Sequence, residues 1–219
     1  LGTVLLMLPF STLDKVPTSF HEALFTATSA VCVTGLVVKD TGSYWSVAGQ
    51  TIILVLIQIG GLGVVTVAAS VSLFSGKKIS LMQRSTMQDA ISAPKVGGIV
   101  RLTRFILKGT FLIEAAGTLL LLPAFFSDYG GKGIWMSVFH SISAFCNAGT
   151  ADNPFPSLTG YSGNVHVNVG IMLLIIVGGI GFLTWDDIYT NKLNIKRYRM
   201  QSKIILMTTA GLILIPTVF

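Results

Sequence analysis

Apolar residues in this chain fall in long blocks rather than in the narrow stripes of an amphipathic helix. Val47–Phe74 carries no charged residue, and Ile99–Phe126 is apolar after Arg101, Arg104 and Lys108 except for Glu114. Val165–Trp185 holds no charged residue apart from His166 when that imidazole is protonated. A bilayer core takes about 20 helical residues, so each block predicts a membrane span. Ile204–Phe219 opens a fourth, and Leu1–Pro9 reads as the tail of a fifth, with no start methionine or signal peptide before it. The sequence is therefore expected to be an internal fragment.

Two segments fit neither a span nor an ordinary loop. Thr18–Ala30 and Gly133–Ala144 are moderately apolar, with aromatic and small residues interleaved. Stretches of about 10–14 such residues are too short to span and predict re-entrant helices. Thr18 or Ser19 is placed to cap the first, with Glu22 in its first turn. A glycine turn follows each at once, Cys32-Val33-Thr34-Gly35-Leu36 and Cys146-Asn147-Ala148-Gly149-Thr150. Non-helical backbone at membrane depth persists only where protein buries it or it lines a wet cavity.

Composition sharpens this picture. Of 219 residues 52% are hydrophobic and only 11% charged, against about 25% charged in a soluble domain; mean hydropathy is +0.75. A soluble globular domain, a disordered chain and a nucleic-acid-binding module are excluded, and two cysteines exclude a disulfide scaffold or four-cysteine zinc site. The fold class is an all-α membrane protein. Seven basic residues lie at 77–108 and five at 192–203, which is 12 of the 15 Lys and Arg. These two regions are separated by two spans and so share a side, which the positive-inside rule makes the cytoplasm. The net charge of +6 then reflects topology in a multi-pass plasma-membrane protein. Membrane lipid, not nucleic acid, is the expected partner of the basic loops.

The chain also repeats itself. A shift of 114 positions superposes Leu5, Leu6, Leu8, Pro9, Asp14, Phe25, Ser29, Ala30, Cys32 and Gly35 on identical residues, ten identities in 31 ungapped positions, where chance gives about two. Gly60-Gly61-Leu62-Gly63 meets Gly178-Gly179-Ile180-Gly181 after a shift of 118, with the four extra residues in the loop Asn153–Asn164. The unit is span, short re-entrant helix, glycine turn, span. It predicts a first unit at 1–98, a second at 99–200 and the start of a third at 201–219. In both complete copies the turn glycine lies 26 residues after the proline, so a third turn would fall near position 242.

Repeated turns at the tips of short helices suggest convergence on one axis. Inward-pointing backbone carbonyls there replace an ion's hydration shell, as in potassium filters. Gly35 and Gly149 supply the backbone freedom such a turn needs. The adjacent side chains differ, Val33-Thr34 against Asn147-Ala148, which coordination by backbone tolerates and coordination by side chains does not. The rival reading is a helical membrane scaffold whose glycine turns only pack.

The pattern resembles the Trk/Ktr/HKT superfamily of potassium uptake proteins. The resemblance rests on Thr28-Ser29-Ala30-Val31-Cys32-Val33-Thr34-Gly35-Leu36, on Phe145-Cys146-Asn147-Ala148-Gly149 and on Gln58-Ile59-Gly60-Gly61-Leu62-Gly63. It implies four membrane helix–pore helix–membrane helix units in one chain around a pseudo-fourfold pore. It also implies that carbonyls of Val33, Thr34, Asn147 and Ala148, with Gly35 and Gly149, hold a potassium ion, with no organic cofactor. In the plant branch, glycine at the first filter goes with potassium selectivity, and Gly35 matches. The partners implied are a second copy of the chain and a cytoplasmic nucleotide-binding gating ring. The third and fourth filters and the family's third-unit gating segment are not within these 219 residues.

Other residues have a chemical and a structural reading. Glu114, midway along its span, is a functional suspect by position, but a hydrogen bond to a neighbouring helix or pore helix is the preferred role. Cys146 follows His140 by six residues, which suggests an intramembrane hydrolase; position 26, the counterpart of 140, is a threonine, so that chemistry would exist in one unit only. The repeated cysteine is expected to pack behind the filter. A Cys32–Cys146 disulfide is not expected, because converging turns hold equivalent residues apart. The glycines at 60, 61, 63, 178, 179 and 181 are read as close helix packing rather than hinges. Asp186-Asp187 reads as a solvated helix end. No phosphate-binding loop, metal-ligand cluster or ATPase motif is present in the sequence, so energy coupling falls to a gradient or a partner.

Overall fold

The helices start and stop where local chemistry tells them to. The computed structural model describes residues 1–63, 66, 67, 82, 85, 88, 99–149, 158–192 and 194–218. Among them the chain forms α1 (Gly2–Met7), α2 (Phe20–Val31), α3 (Val47–Leu62), α4 (Ile99–Tyr129), α5 (Gly131–Phe145), α6 (Val165–Gly179), α7 (Phe182–Asn191) and α8 (Met200–Val218), with short 3-10 turns between. Ser19 Oγ accepts the Glu22 N–H at 3.4 Å and so caps α2. Ser46 does the same for α3 through the Gly49 N–H at 3.2 Å, each satisfying an otherwise orphaned donor. α4 runs 31 residues through Pro123. That proline has no N–H to give the turn before it, and the imidazole Nε2 of His166 reaches the Leu120 carbonyl in that turn at 2.6 Å.

Among the described residues, α4 and α8 are long and apolar enough to cross a membrane, and α6 with α7 forms a third, broken candidate. Large apolar side chains point outward, among them Leu112, Leu119, Met207 and Leu212, a distribution suited to lipid and costly in water. The protein is an all-α membrane protein. Two of the expected spans are interrupted. The block at 47–74 forms helix to Leu62, Gly63 turns the backbone to φ +80° and residues 66 and 67 are helical again, while the block at 165–185 breaks before Gly181 at φ +81°. The glycine motif therefore does two jobs: Gly60 and Gly61 pack, as expected, whereas Gly63 ends one helix and Gly181 begins another. Positions 68–74, most of the expected basic loop at 77–95 and residues 150–157 lie outside the described residues.

The residues form two compact units, 1–64 with 112–175, and 65–111 with 176–219. The first contains both re-entrant helices. Ala23, Ala27 and Ala30 recur at helical spacing and are buried, so one face of α2 is small enough for close backbone approach. They share a core with Leu6, Trp45, Ile53, Ile57 and Phe139. Close approach is literal at Gly49, where a Cβ would overlap the Ser11 carbonyl, and at Gly133, where it would overlap that of Phe125.

In the second unit, Trp185 lies against Gly109, whose Cβ would come 3.3 Å from the indole, and donates to the Val177 carbonyl at 2.9 Å. Asp186-Asp187 corrects the expected solvated helix end. Asp187 is 4% exposed; it accepts the Arg199 backbone N–H at 3.0 Å and the Ser202 hydroxyl, and lies 3.5 Å from Arg199 Nε. Asp186 pairs with Arg199 Nη2 at 3.0 Å. The chain reverses after Lys192, at φ +50°, and brings the start of α8, with its unpaired N–H groups, onto these carboxylates.

Candidate functional site

The two glycine turns carry the same backbone solution. At the end of α2, Cys32 N–H bonds to Thr28 O (2.8 Å), Val33 N–H to Ala30 O (3.3 Å) and Thr34 N–H to Ser29 O (3.0 Å). At the end of α5, Cys146 bonds to Ile142 (2.9 Å), Asn147 to Ala144 (3.1 Å) and Ala148 to Ser143 (2.9 Å). The last two bonds of each set form a Schellman motif, whose pivot residue sits in the left-handed region. Val33 is at φ +56° and Asn147 at +57°; Gly35 and Gly149, two residues on, are at +75° and +61°. Asparagine adopts that region readily, but a β-branched valine there is an outlier. Ser29 braces the first turn, donating to the Leu36 carbonyl at 2.6 Å with its Oγ 2.9 Å from Thr34 Oγ1.

All six expected site residues, Val33, Thr34, Gly35, Asn147, Ala148 and Gly149, lie in the first compact unit, and the turns meet. A Cβ on Gly35 would overlap the Ala148 carbonyl oxygen and lie 2.9 Å from Gly149 C; a Cβ on Gly149 would sit 3.7 Å from Gly35 Cα. A cavity of about 160 Å³ opens beside the second turn, lined by residues including His140, Asn147, Gly149 and Ile175.

α3 connects both turns. A Cβ on Gly60 would strike the Val31 carbonyl at the tip of α2, and one on Gly61 the Cys146 thiol at the tip of α5. Two glutamines on α3 add polar ties that the sequence reading did not single out. Gln50 accepts the Trp135 indole N–H at 2.7 Å. Gln58 donates to Glu114 Oε1 at 2.8 Å and accepts the Cys146 thiol at 3.8 Å. Their eight-residue spacing, near two helical turns in an otherwise apolar block, is the signal that could have exposed a shared partner. Glu114 is buried, and its carbonyl also accepts the Ser141 hydroxyl at 2.7 Å, which fits the structural role expected of it.

Two expectations on the cysteines resolve differently. Cys146 packs behind its turn, but Cys32 is exposed, a correction: the partner that covers Cys146 comes from another helix, and no described residue plays that part for Cys32. Both thiols are free. The Cys146 hydrogen bond runs to Gln58, while the His140 ring stacks on Phe125 at 5.2 Å, an arrangement that gives the hydrolase reading no support. At the other end of α2, Glu22 forms an ion pair with Lys39 at 3.2 Å. Lys39 belongs to the segment leaving the first turn, and its hydrogen bond, with that of Ser19, holds the Glu22 carboxyl below the usual carboxylate value.

Known proteins resemble this chain along most of its length. Residues 2–210 match the family model TrkH, described as a cation transport protein. The chain is 43% identical over 210 residues to the Ktr system potassium uptake protein B of Bacillus subtilis, covering 95% of this chain and 46% of that protein. It is 40% identical over 214 residues to the potassium/sodium uptake protein NtpJ of Enterococcus hirae, covering 97% and 47%, and 35% identical over 219 residues to protein B of the Ktr system of Vibrio alginolyticus, covering 99% and 48%. The chain thus spans about half the length of these relatives. Their names and the family's description are those of transporters rather than enzymes. The chain belongs to the TrkH family of cation transport proteins and is an integral membrane protein.

Proposed function

We propose that this chain takes part in potassium uptake, supplying two of the turns of a carbonyl filter in a larger pseudo-fourfold pore built from repeated membrane helix–pore helix–membrane helix units. One observation carries the reading: the same hydrogen-bonded turn with a left-handed pivot recurs under unlike side chains, and the two copies abut through their glycines. Carbonyls of Val33, Thr34, Asn147 and Ala148, with Gly35 and Gly149, take the place of water around dehydrated potassium. Depth favours this. Cys146 is level with Gln58, which lies 11 residues beyond Val47 at the start of α3. That is about 16 Å along the helix, near the middle of a core of about 30 Å, where irregular backbone persists only in protein or along a water-filled path.

Relatives named as parts of a Ktr system support partner subunits. We assign these to a second copy of the chain and a cytoplasmic nucleotide-binding ring. The test is potassium and sodium uptake by the whole protein in cells lacking other potassium uptake. Gly35→Ser is expected to weaken the preference for potassium over sodium while the protein still reaches the membrane, whereas Gly61→Ala and Gly179→Ala affect yield or gating more than ion choice. Unchanged ion preference after bulky substitution at both Gly35 and Gly149 would leave the packed-turn scaffold as the better account.

A further inference from the structure

The hydrogen bonds of Gln58 reach further than packing requires. A carboxylate only accepts, so Gln58 must offer its amide N–H to Glu114 Oε1 (2.8 Å), which leaves its carbonyl facing the Cys146 thiol (3.8 Å). Cys146 is the C-cap of α5 and directly precedes Asn147, the left-handed pivot of the second turn. Gly61, three residues on, clears the space that the thiol fills. α3 therefore fixes the residue immediately before the pivot of the second turn, by shape on one side and by hydrogen bonding on the other. Under the 118-residue shift the counterpart of Gln58 is Ile176, which has no polar group to offer, so this tie is not a general feature of the repeat. Gln50, on the same helix, binds Trp135, 11 residues before Cys146 and far from the turn.

We propose that Gln58 is a positioning residue for ion selection: by bridging Glu114 and the Cys146 thiol it sets the carbonyl directions of the Asn147–Gly149 turn. This rests on the filter reading above.

The test uses the whole protein in uptake-deficient cells, with four variants whose uptake is normalised to the amount of protein in the membrane. Gln58→Met keeps length and removes both hydrogen bonds. It is expected to raise the potassium concentration for half-maximal uptake by about three- to tenfold, the loss of one or two modest hydrogen bonds, and to weaken discrimination against sodium. Alkylation of Cys146 by N-ethylmaleimide should rise relative to Cys32. Gln50→Met, which cuts the remote tie, should lower yield without changing ion preference. The exchanged pair Gln58→Glu with Glu114→Gln rebuilds a donor facing a carboxylate and an acceptor for the thiol. It should restore the preference that Gln58→Glu alone, with two carboxylates face to face, disturbs, so the proposal stays testable even where Gln58→Met folds poorly. Wild-type ion preference in Gln58→Met, or an exchanged pair no better than Gln58→Glu, overturns the proposal. Should Gly35→Ser shift ion preference while Gln58→Met does not, only the positioning role falls; should neither shift it, the filter reading falls first.

Discussion

Replacing each turn glycine by alanine separates two costs that the structure distributes unequally. Any L-residue in the left-handed region costs about 1–2 kcal/mol, and Gly35 (φ +75°) and Gly149 (φ +61°) both incur it. Only Gly35 incurs a second. Its Cβ would overlap the Ala148 carbonyl oxygen and press on Gly149 within 2.9–3.0 Å. Ala148 is 1% exposed with its N–H bonded to Ser143, so it yields only by disturbing the second turn. Overpacking of this kind costs about 1–3 kcal/mol. At Gly149 the added carbon stays 3.7 Å from Gly35, an ordinary contact. Gly35→Ala should therefore cost about 2–5 kcal/mol and Gly149→Ala about 1–2 kcal/mol. The thermal midpoint in detergent gives the order of the two, and competition between potassium and sodium in uptake assays gives the effect on the filter. Because the overlap falls on the other turn, Gly35→Ala should also change Cys146 alkylation, 111 positions away in sequence. Equal effects, or a larger loss at Gly149, would refute the reasoning.

Three further outcomes follow from other contacts. Asp187→Ala leaves the partly exposed Arg199 guanidinium with Asp186 alone and uncaps the start of α8; it should lower stability by about 1–3 kcal/mol, read as a thermal midpoint, with Asp187→Asn milder because one acceptor remains. The folded-state value of Glu22 is lowered, chiefly by Lys39, so the Glu22–Lys39 ion pair contributes above the ordinary value of 4.5 and is lost as pH falls through the lowered one. Lys39→Gln should move the Glu22 titration, followed by carboxyl NMR, up toward 4.5; an unmoved titration argues against the pair. Gly61→Ala drives a carbon into the Cys146 thiol, and yield lost that way should return when Cys146→Gly is added.

What the sequence made legible was chiefly what is local. Ser19 and Glu22 stand in a capping pattern whose donor and acceptor lie three residues apart, and α2 starts there. The short helices and their glycine turns were visible because the 114-residue shift aligns residues with few substitutes, Pro, Asp, Cys and Gly. The helix breaks at Gly63 and Gly181 were hidden, since hydropathy registers an apolar glycine without its dihedral angles. Asp187 was misread because its partners, Arg199 and Ser202, lie beyond a chain reversal that no pattern at 186–187 announces. Cys32 and Cys146 show the same limit: identical in type and in place within the unit, they differ in burial because burial depends on a neighbouring helix.

Val33 shows why these turns are better understood through their backbone than through their side chains. A glycine or asparagine would adopt its φ of +56° more cheaply, as Asn147 does in the second copy. The conformation is nevertheless held by three hydrogen bonds from the tip of α2 and by Ser29 bracing Leu36. Gly60 leaves room for the Val33 side chain, whose Cγ2 lies 2.9 Å from where a Cβ on that glycine would stand. Strain of this kind persists only where the surroundings over-determine it. The surroundings here impose one backbone shape on valine in one turn and asparagine in the other. The turn hydrogen bonds and the left-handed pivot, rather than the side chains, are therefore what the two turns have in common.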